Sequence, residues 1–423
     1  MELFADFGHE KGQDDLLDLQ TALGSLRRVH EQWAQKPFEA VPLLSRKIIL
    51  SDETMGAISD LEISTARWDT RIGFSPHCDT VALVMSRMEG VCAAIANGIA
   101  ADWRICCYLD YYTSKAKAAP SAVGTLVART TGADATAIQA SLCARQIEAL
   151  VARLLDEECE IAALTPERIV SLNDAICRAI NPAWELGMRT WDFPVDDGVP
   201  GHYRPPRAAA LRPFLEDIAE FITTSKLSSI TKSALIFFQL DAVRMFPHHF
   251  DQLGRIIAFY LWKHAGLVDA VIPPISATPA AHPQKHLEKL KPYLYQGETT
   301  DMLLLDDWIY HVARSTQNAV NLEAASFQEI EAIIGRWEQM LAERGGRPTP
   351  ATRQLLQSLM ANPVFSITSL AEDAQIAFST AARITEVLER AGVIVQVSEG
   401  RRNRLYECSE ALGFFGKMIP ELA

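Results

Sequence analysis

The sequence predicts a mainly α chain that ends in one small α+β unit. Three observations carry this expectation. Apolar residues recur at three- and four-residue spacing through most of the first 340 residues, the period of amphipathic helices. Strand signals are few before residue 390. The segment Glu343-Arg344-Gly345-Gly346-Arg347-Pro348-Thr349-Pro350 cannot continue a helix, because it combines paired glycines with spaced prolines. The residues beyond it therefore read as a separate small domain.

Leu16-Leu17-Asp18-Leu19-Gln20-Thr21-Ala22-Leu23 opens a periodic run toward Trp33. Thr80 to Ala101 repeats the pattern with Val84, Met88, Val91, Ala94 and Ile95 on one face, and Ala137 to Leu155 does so with Ile138, Leu142, Ile147, Leu150 and Leu154. Pro166 to Ile180 comes next, with Thr165 as N-cap and Pro166 at the first helical position, where a missing N–H costs nothing. Trp191-Asp192-Phe193-Pro194-Val195-Asp196-Asp197-Gly198-Val199-Pro200-Gly201 is loop chemistry. Trp68, Trp103, Tyr108, Tyr111 and Tyr112 read as core or interface aromatics.

Composition narrows the function classes. The chain has 423 residues, 48% hydrophobic and 22% charged, with a formal net charge of −13. That is globular composition for two or three domains. An acidic chain is no general polyanion binder, so any nucleic-acid contact must come from a local patch. No run of about 18 apolar residues suggests a membrane span, and the acidic start Met1-Glu2-Leu3-Phe4-Ala5-Asp6 lacks a signal-peptide n-region. The eight cysteines form no C-x-x-C pair, which argues against a zinc site or a disulfide framework, and Cys106-Cys107 reads as a pair of buried helix thiols. A bacterial-style cytoplasmic protein without membrane contact is the expectation.

The C-terminal unit is the most legible. A helix from about Thr352 to Met360 stops at Asn362-Pro363. Ser369-Leu370-Ala371-Glu372-Asp373-Ala374 forms a short second helix. Ser379 is expected to cap a third, carrying Ala382, Ile384, Val387 and Leu388, which Ala391-Gly392 closes. Val393 to Val397 and Arg404 to Cys408 then bracket Glu399-Gly400-Arg401-Arg402-Asn403 as a hairpin with a basic tip. This order resembles bacterial winged-helix domains. The resemblance places Ser379, Thr380 and Arg383 on a DNA-groove face and sends Arg401, Arg402 and Arg404 of the wing to phosphates. Winged helices also serve as protein-interaction modules. Residues 348–423 hold seven Lys/Arg against eight Asp/Glu, and Glu386 and Glu389 share the groove helix, so the basic footprint is confined to the wing.

The densest polar cluster is Phe246-Pro247-His248-His249-Phe250-Asp251-Gln252-Leu253-Gly254-Arg255, set before the apolar run Ile256-Ile257-Ala258-Phe259-Tyr260-Leu261-Trp262. Polar side chains at the start of a helix suit an anion, since unpaired N–H groups and the helix dipole converge there. Residues from about 166 to 340 resemble a Fic-type (filamentation-induced-by-cAMP) domain, an all-helical fold that commonly transfers AMP from ATP to a target hydroxyl. The flanks carry the resemblance: Ala234 to Val243 before the cluster, Gly254-Arg255 opening the helix to His264, the turn Pro273-Pro274-Ile275-Ser276, then Tyr293-Leu294-Tyr295 and Leu305-Asp306-Asp307-Trp308-Ile309 through Ala319. Upstream, Gly201-His202-Tyr203-Arg204 is similar to the segment ahead of the family's substrate flap.

The family motif is H-P-F-x-[DE]-G-N-G-R: a histidine base, an acidic metal ligand, a glycine-rich phosphate cradle and an arginine. Aligned on Gly254-Arg255, the resemblance makes Asp251 the acidic and metal-binding residue, and Asp251, Gly254 and Arg255 the anion-binding set. Gln252 and Leu253 replace the motif's Gly and Asn, and Pro247 stands where the histidine belongs. His248 and His249 come one and two residues later, as the candidates for a displaced base. Tyr203-Arg204 runs directly into Pro205-Pro206, which leaves almost no flap. A base must come within about 3 Å of the proton it takes, and a one-residue shift in a loop exceeds that tolerance. Ser86-Arg87-Met88-Glu89-Gly90 resembles an inhibitory S-x-I-E-G segment, in which Glu89 would pair with Arg255. Read for itself, Glu89 is an exposed helix glutamate before a glycine.

The expectation is therefore a helical N-terminal region (1–165), a Fic-like domain (166–342) and a winged-helix domain (349–423). Three functions stay open at this point. The first is a catalytically impaired Fic-like protein that acts as a DNA-binding regulator or adaptor, in a homodimer. The second is an adenylyltransferase with a variant loop, using ATP and Mg on a protein target. The third is a protein-interaction scaffold. No cofactor is required outside the transferase reading.

Overall fold

The computed structural model of the chain describes residues 40–156, 160–193, 205–248, 252–290, 298–344, 349–398 and 404–422. The fold is mainly α, as the sequence predicts. In chain order the helices are α1 (Asp52–Gly73), α2 (Cys78–Ala96), α3 (Trp103–Asp110), α4 (Pro120–Thr131), α5 (Ala135–Asp156), α6 (Pro166–Ile180), α7 (Leu211–Thr224), α8 (Ser229–Val243), α9 (Gln252–His264), α10 (Ala277–Ala281), α11 (Pro283–Leu290) and α12 (Glu298–Glu343). The C-terminal segment adds α13 (Pro350–Ala361), β1 (Val364–Ser366), α14 (Ile367–Asp373), α15 (Phe378–Arg390), β2 (Ile394–Gln396), β3 (Leu405–Cys408), α16 (Ser409–Leu412) and α17 (Phe414–Met418). None of the helices among the described residues is long and apolar enough to cross a membrane.

Helix ends obey local chemistry. The Thr165 hydroxyl accepts from Arg168 N–H and Pro166 occupies the first helical position, as expected. α2 begins at Cys78 and stops at Ala96, short of the expected Ala101. Gly98 takes the left-handed conformation there (φ +76°), and the Asn97 side-chain amide donates to the Ala93 carbonyl at 2.7 Å. The single glycine of α12, Gly335, has open space where a Cβ would stand, so nothing interrupts a helix of 46 residues. The helix expected over residues 16 to 33 lies outside the described residues.

The described residues fall into two compact units. The first draws on Met1–Ala66, Glu158–Val268 and His282–Asn318. Its core is the helix pair α8 and α9. Every residue of α9 from Gln252 to Trp262 is buried, and α8 is buried from Ile230 to Val243 except at Phe237 and Asp241. A helix that is apolar nearly all round belongs inside a core rather than on its surface. Several polar groups that this places in the core find partners. Trp262 Nε1 donates to Ser233 Oγ (3.1 Å), Trp308 Nε1 to the Ala234 carbonyl (2.8 Å), and Lys232 Nζ to the Ile222 carbonyl (3.1 Å). The Asp217 carboxylate on α7 accepts from Leu43 and Leu44 N–H and pins the turn at Leu43–Ser45.

The second unit draws on Arg67–Glu157, Asp269–Ala281 and Ala319–Ala423. Its central helix is α2, packed along α5. A Cβ at Gly90 would meet the Ala144 carbonyl at 2.6 Å and Glu148 Cβ at 2.9 Å, so the close approach of α2 and α5 requires glycine there. Cys106 and Cys107 are buried thiols, as expected. Burial raises both, Cys107 to about 11, which keeps them protonated.

The C-terminal segment has the helix–helix–helix–hairpin order read from the sequence, with two corrections. β1 is an addition to that order. It completes a three-stranded antiparallel sheet of order β1-β3-β2, with Val364 opposite Glu407 and Ile394 opposite Cys408. A three-residue strand carries too little alternation to be read, and stacking of Phe365 on Tyr406 (5.7 Å) gives it its place. Ser379 is not a cap: α15 begins one residue earlier, at Phe378, with Ala377 at the N-cap and no side-chain bond. The capping box lies at α14 instead, where Ser366 and Ser369 satisfy each other's backbone N–H groups. The segment is anchored within its unit. Glu407 takes Arg104 Nη2 (2.9 Å) and Tyr108 Oη (2.8 Å), Asp373 takes Lys115 Nζ (2.6 Å), and the Ala361 carbonyl takes Arg87 Nη1 (2.9 Å).

Candidate functional site

The polar cluster sits between α8 and α9, in the first unit. Chain direction is set by Arg244, which closes α8 in the left-handed region (φ +45°, ψ +56°), an uncommon conformation for a residue with a Cβ. Met245 and Phe246 then turn into the core, where both are buried. His248 is half-buried, and its ring stacks on Trp184 with centroids 4.1 Å apart and planes 15° apart. One ring face is thereby occupied by an indole. His249 and Asp251, the second candidate base and the candidate metal ligand, lie outside the described residues. Among the described residues no group of three or more His, Cys, Asp or Glu side chains could hold a metal ion.

The start of α9 is packed into the core. Gln252 is 0% and Leu253 2% exposed, so both residues that replace the motif's Gly and Asn face the core. Neither polar atom of the Gln252 amide has a hydrogen-bond partner among the described residues. Gly254 answers a packing need: a Cβ there would lie 2.4 Å from Phe237 Cδ1 and 2.9 Å from its Cε1, so the glycine lets α9 approach α8. Arg255 is buried as well. The whole first turn of α9, Gln252 to Arg255, is thus packed inside the unit.

The loop ahead of His248 has an organiser that the sequence does not reveal. Arg189, 2% exposed, donates its backbone N–H to the Met245 carbonyl (3.0 Å), Nε to the Arg244 carbonyl (2.7 Å), Nη1 to the Trp191 carbonyl (2.7 Å) and Nη2 to the Pro206 carbonyl. The Phe193 ring lies 5.0 Å from its guanidinium carbon. An arginine in a Pro- and Asp-rich loop reads as solvated, and nothing in its spacing marks it as buried.

Glu89 lies in the second unit and corrects the reading of an exposed helix glutamate. It is 0% exposed. Its carboxylate accepts from the Ser276 backbone N–H (2.9 Å) and from Ser276 Oγ (2.6 Å), at the entry to α10. Its neighbours Arg87 and Gly90 also have packing roles. Arg87 is buried against Asp110 and Glu148, and Gly90 admits α5.

In the C-terminal segment, Ser379 and Arg383 are exposed one helical turn apart on α15, Thr380 is half-buried beside them, and Arg404 is exposed just before β3. Arg401 and Arg402 lie outside the described residues. The same helix exposes Phe378 (56%), and it pairs Glu386 with Arg390.

Among solved structures the chain is similar to a Fic family protein. That protein, from Desulfovibrio desulfuricans G20, has a crystal structure at 2.70 Å resolution. The two chains share 11% identity, with 88% of this chain and 98% of that chain covered, at a TM-score of 0.47. No family model and no curated protein matches the chain.

Proposed function

We propose that this chain is a Fic-like protein whose helix-start site has lost nucleotidyl transfer, and whose output is DNA recognition by a C-terminal winged-helix domain. In this reading residues 1–165 are a helical N-terminal region, 166–342 the Fic-like domain and 349–423 the winged helix. The protein works in the cytoplasm as a homodimeric regulator or adaptor. The observation that carries the loss of transfer is the burial of Gln252 and Leu253 together with the contact of position 254 on Phe237. A phosphate cradle needs backbone N–H groups that a ligand can approach, and a leucine inside the core contributes none of the polar contact that the motif's asparagine supplies. His248, held against Trp184, is poorly placed as a base, since proton transfer tolerates misplacement of only about 1 Å.

The DNA arm rests on the order of elements and on the exposure of Ser379, Arg383 and Arg404. Lysine and arginine contacts to phosphate give affinity, whereas the groove helix gives sequence choice. The exposed Phe378 and the Glu386–Arg390 pair favour a second reading, a protein-interaction surface on the same helix.

Calorimetry with ATP and magnesium, on the wild type and on Arg255→Ala, tests the loss of transfer. The expected result is no binding heat from either protein. Saturable heat in the wild type that vanishes in Arg255→Ala would restore the variant-loop adenylyltransferase, with Asp251 as metal ligand and His248 or His249 as base.

A further inference from the structure

We propose that Arg189 is a positioning residue that fixes the loop after α8 in the arrangement where His248 stacks on Trp184. The altered geometry of the cluster would then be built into the fold, not a loop conformation that a ligand could reset. This rests on the proposed function only for the significance of His248; its test involves neither nucleotide nor DNA.

A non-glycine residue at φ +45°, such as Arg244, persists only where its surroundings over-determine it. Arg189 supplies that constraint, because its backbone N–H and its Nε hold the consecutive carbonyls of Met245 and Arg244. The other arms of the guanidinium hold the carbonyls of Trp191 and Pro206. One side chain therefore ties together the exit from α8, the 191–193 segment and the segment that leads into α7. A guanidinium can do this because its five donors sit in a rigid planar fork, whereas an ammonium on a flexible stem cannot meet the same carbonyls together. Both partners of the stack depend on it. Trp184 lies five residues before Arg189, and His248 lies three residues after the carbonyl of Met245. A carboxylate oxygen of the exposed Asp192 is 3.9 Å from Nη1, too far for a hydrogen bond, and the Phe193 ring lies over the guanidinium beside the four carbonyls.

The test reads the ring current of Trp184 on His248. The full chain is labelled at histidine Cε1, and the His248 signal is assigned by its absence in His248→Gln. In the wild type this signal is expected well upfield of an exposed histidine and to lose that shift in Trp184→Leu. In Arg189→Lys it should move to the exposed position, while the signals of His264 and His311 stay in place. A folded Arg189→Lys protein with the wild-type His248 shift would overturn the proposal. Should Arg189→Lys fail to fold, Phe193→Leu removes the ring over the guanidinium and leaves its hydrogen bonds. A partial downfield move of His248 is then expected, and no move would overturn the proposal equally.

Discussion

Arg87→Ala is expected to lower the stability of the second unit by about 3–5 kcal/mol, the usual effect of removing one partner from a buried ionic cluster. Arg87 is 1% exposed on α2. Its guanidinium lies 3.5 Å from Glu148 on α5 and 3.4 Å from Asp110 on α3, and it donates to the Ala361 carbonyl at the end of α13 (2.9 Å). Arg145 bridges the same two carboxylates at 2.5 Å each, so two cations neutralise two anions. Without Arg87, one buried negative charge is left over and the α13 carbonyl loses its donor. Urea denaturation followed by tryptophan fluorescence checks this. The double variant Arg87→Ala/Glu148→Ala should lose less than the sum of its single variants, because Glu148→Ala removes the surplus charge. Arg212→Ala, which breaks a solvated pair with Glu167 and Glu216, should leave the midpoint unmoved. A midpoint for Arg87→Ala as close to wild type as that of Arg212→Ala would show that the cluster contributes nothing.

Gly254→Val is expected to destabilise the first unit by about 1–3 kcal/mol, the cost of overpacking a filled core. A Cβ at position 254 would sit 2.4 Å from Phe237 Cδ1 and 3.6 Å from Leu240 Cδ1, so the ring must swing away or α9 must shift from α8. Phe237 is half-exposed, and this opens a rescue: Phe237→Ala in the same chain should recover most of the loss. The pair separates two explanations of the glycine. If Gly254 were kept only to admit phosphate, Gly254→Val would leave the thermal midpoint of the unliganded protein unchanged, and Phe237→Ala would rescue nothing.

Much of the fold is legible in the sequence because its signals are local. The period of Val84, Met88 and Val91, the Thr165-Pro166 cap and the Gly392 turn each act within one helix, and α2, α6 and α15 lie close to their expected positions. The illegible features depend on long-range partners. β1 is three residues long and exists because Tyr406, 41 positions later, pairs with Phe365. Glu89 reads as solvated because no local pattern shows that Ser276 will meet it. Arg189 sits in a loop whose composition suggests exposure, yet four carbonyl groups, those of Arg244, Met245, Trp191 and Pro206, converge on it. Gly254 reads as phosphate chemistry, and the contact at that position is a phenyl ring from α8. A motif in a sequence states which residues are present. Whether position 253 faces a ligand or the core is decided by the packing of the helix that carries it.

The claim that this chain acts through DNA is tested most directly by in vitro sequence selection, followed by fluorescence anisotropy of the selected duplex at two salt concentrations. The selected site should bind at least about 10³-fold more tightly than random duplex. Arg383→Ala should lose about 1–3 kcal/mol of that affinity and relax the preference at one base position, while Arg404→Ala should weaken all duplexes alike and reduce the salt slope by about one. A pool that shows no enrichment, with wild type and both variants binding every duplex equally, would contradict DNA recognition by this chain.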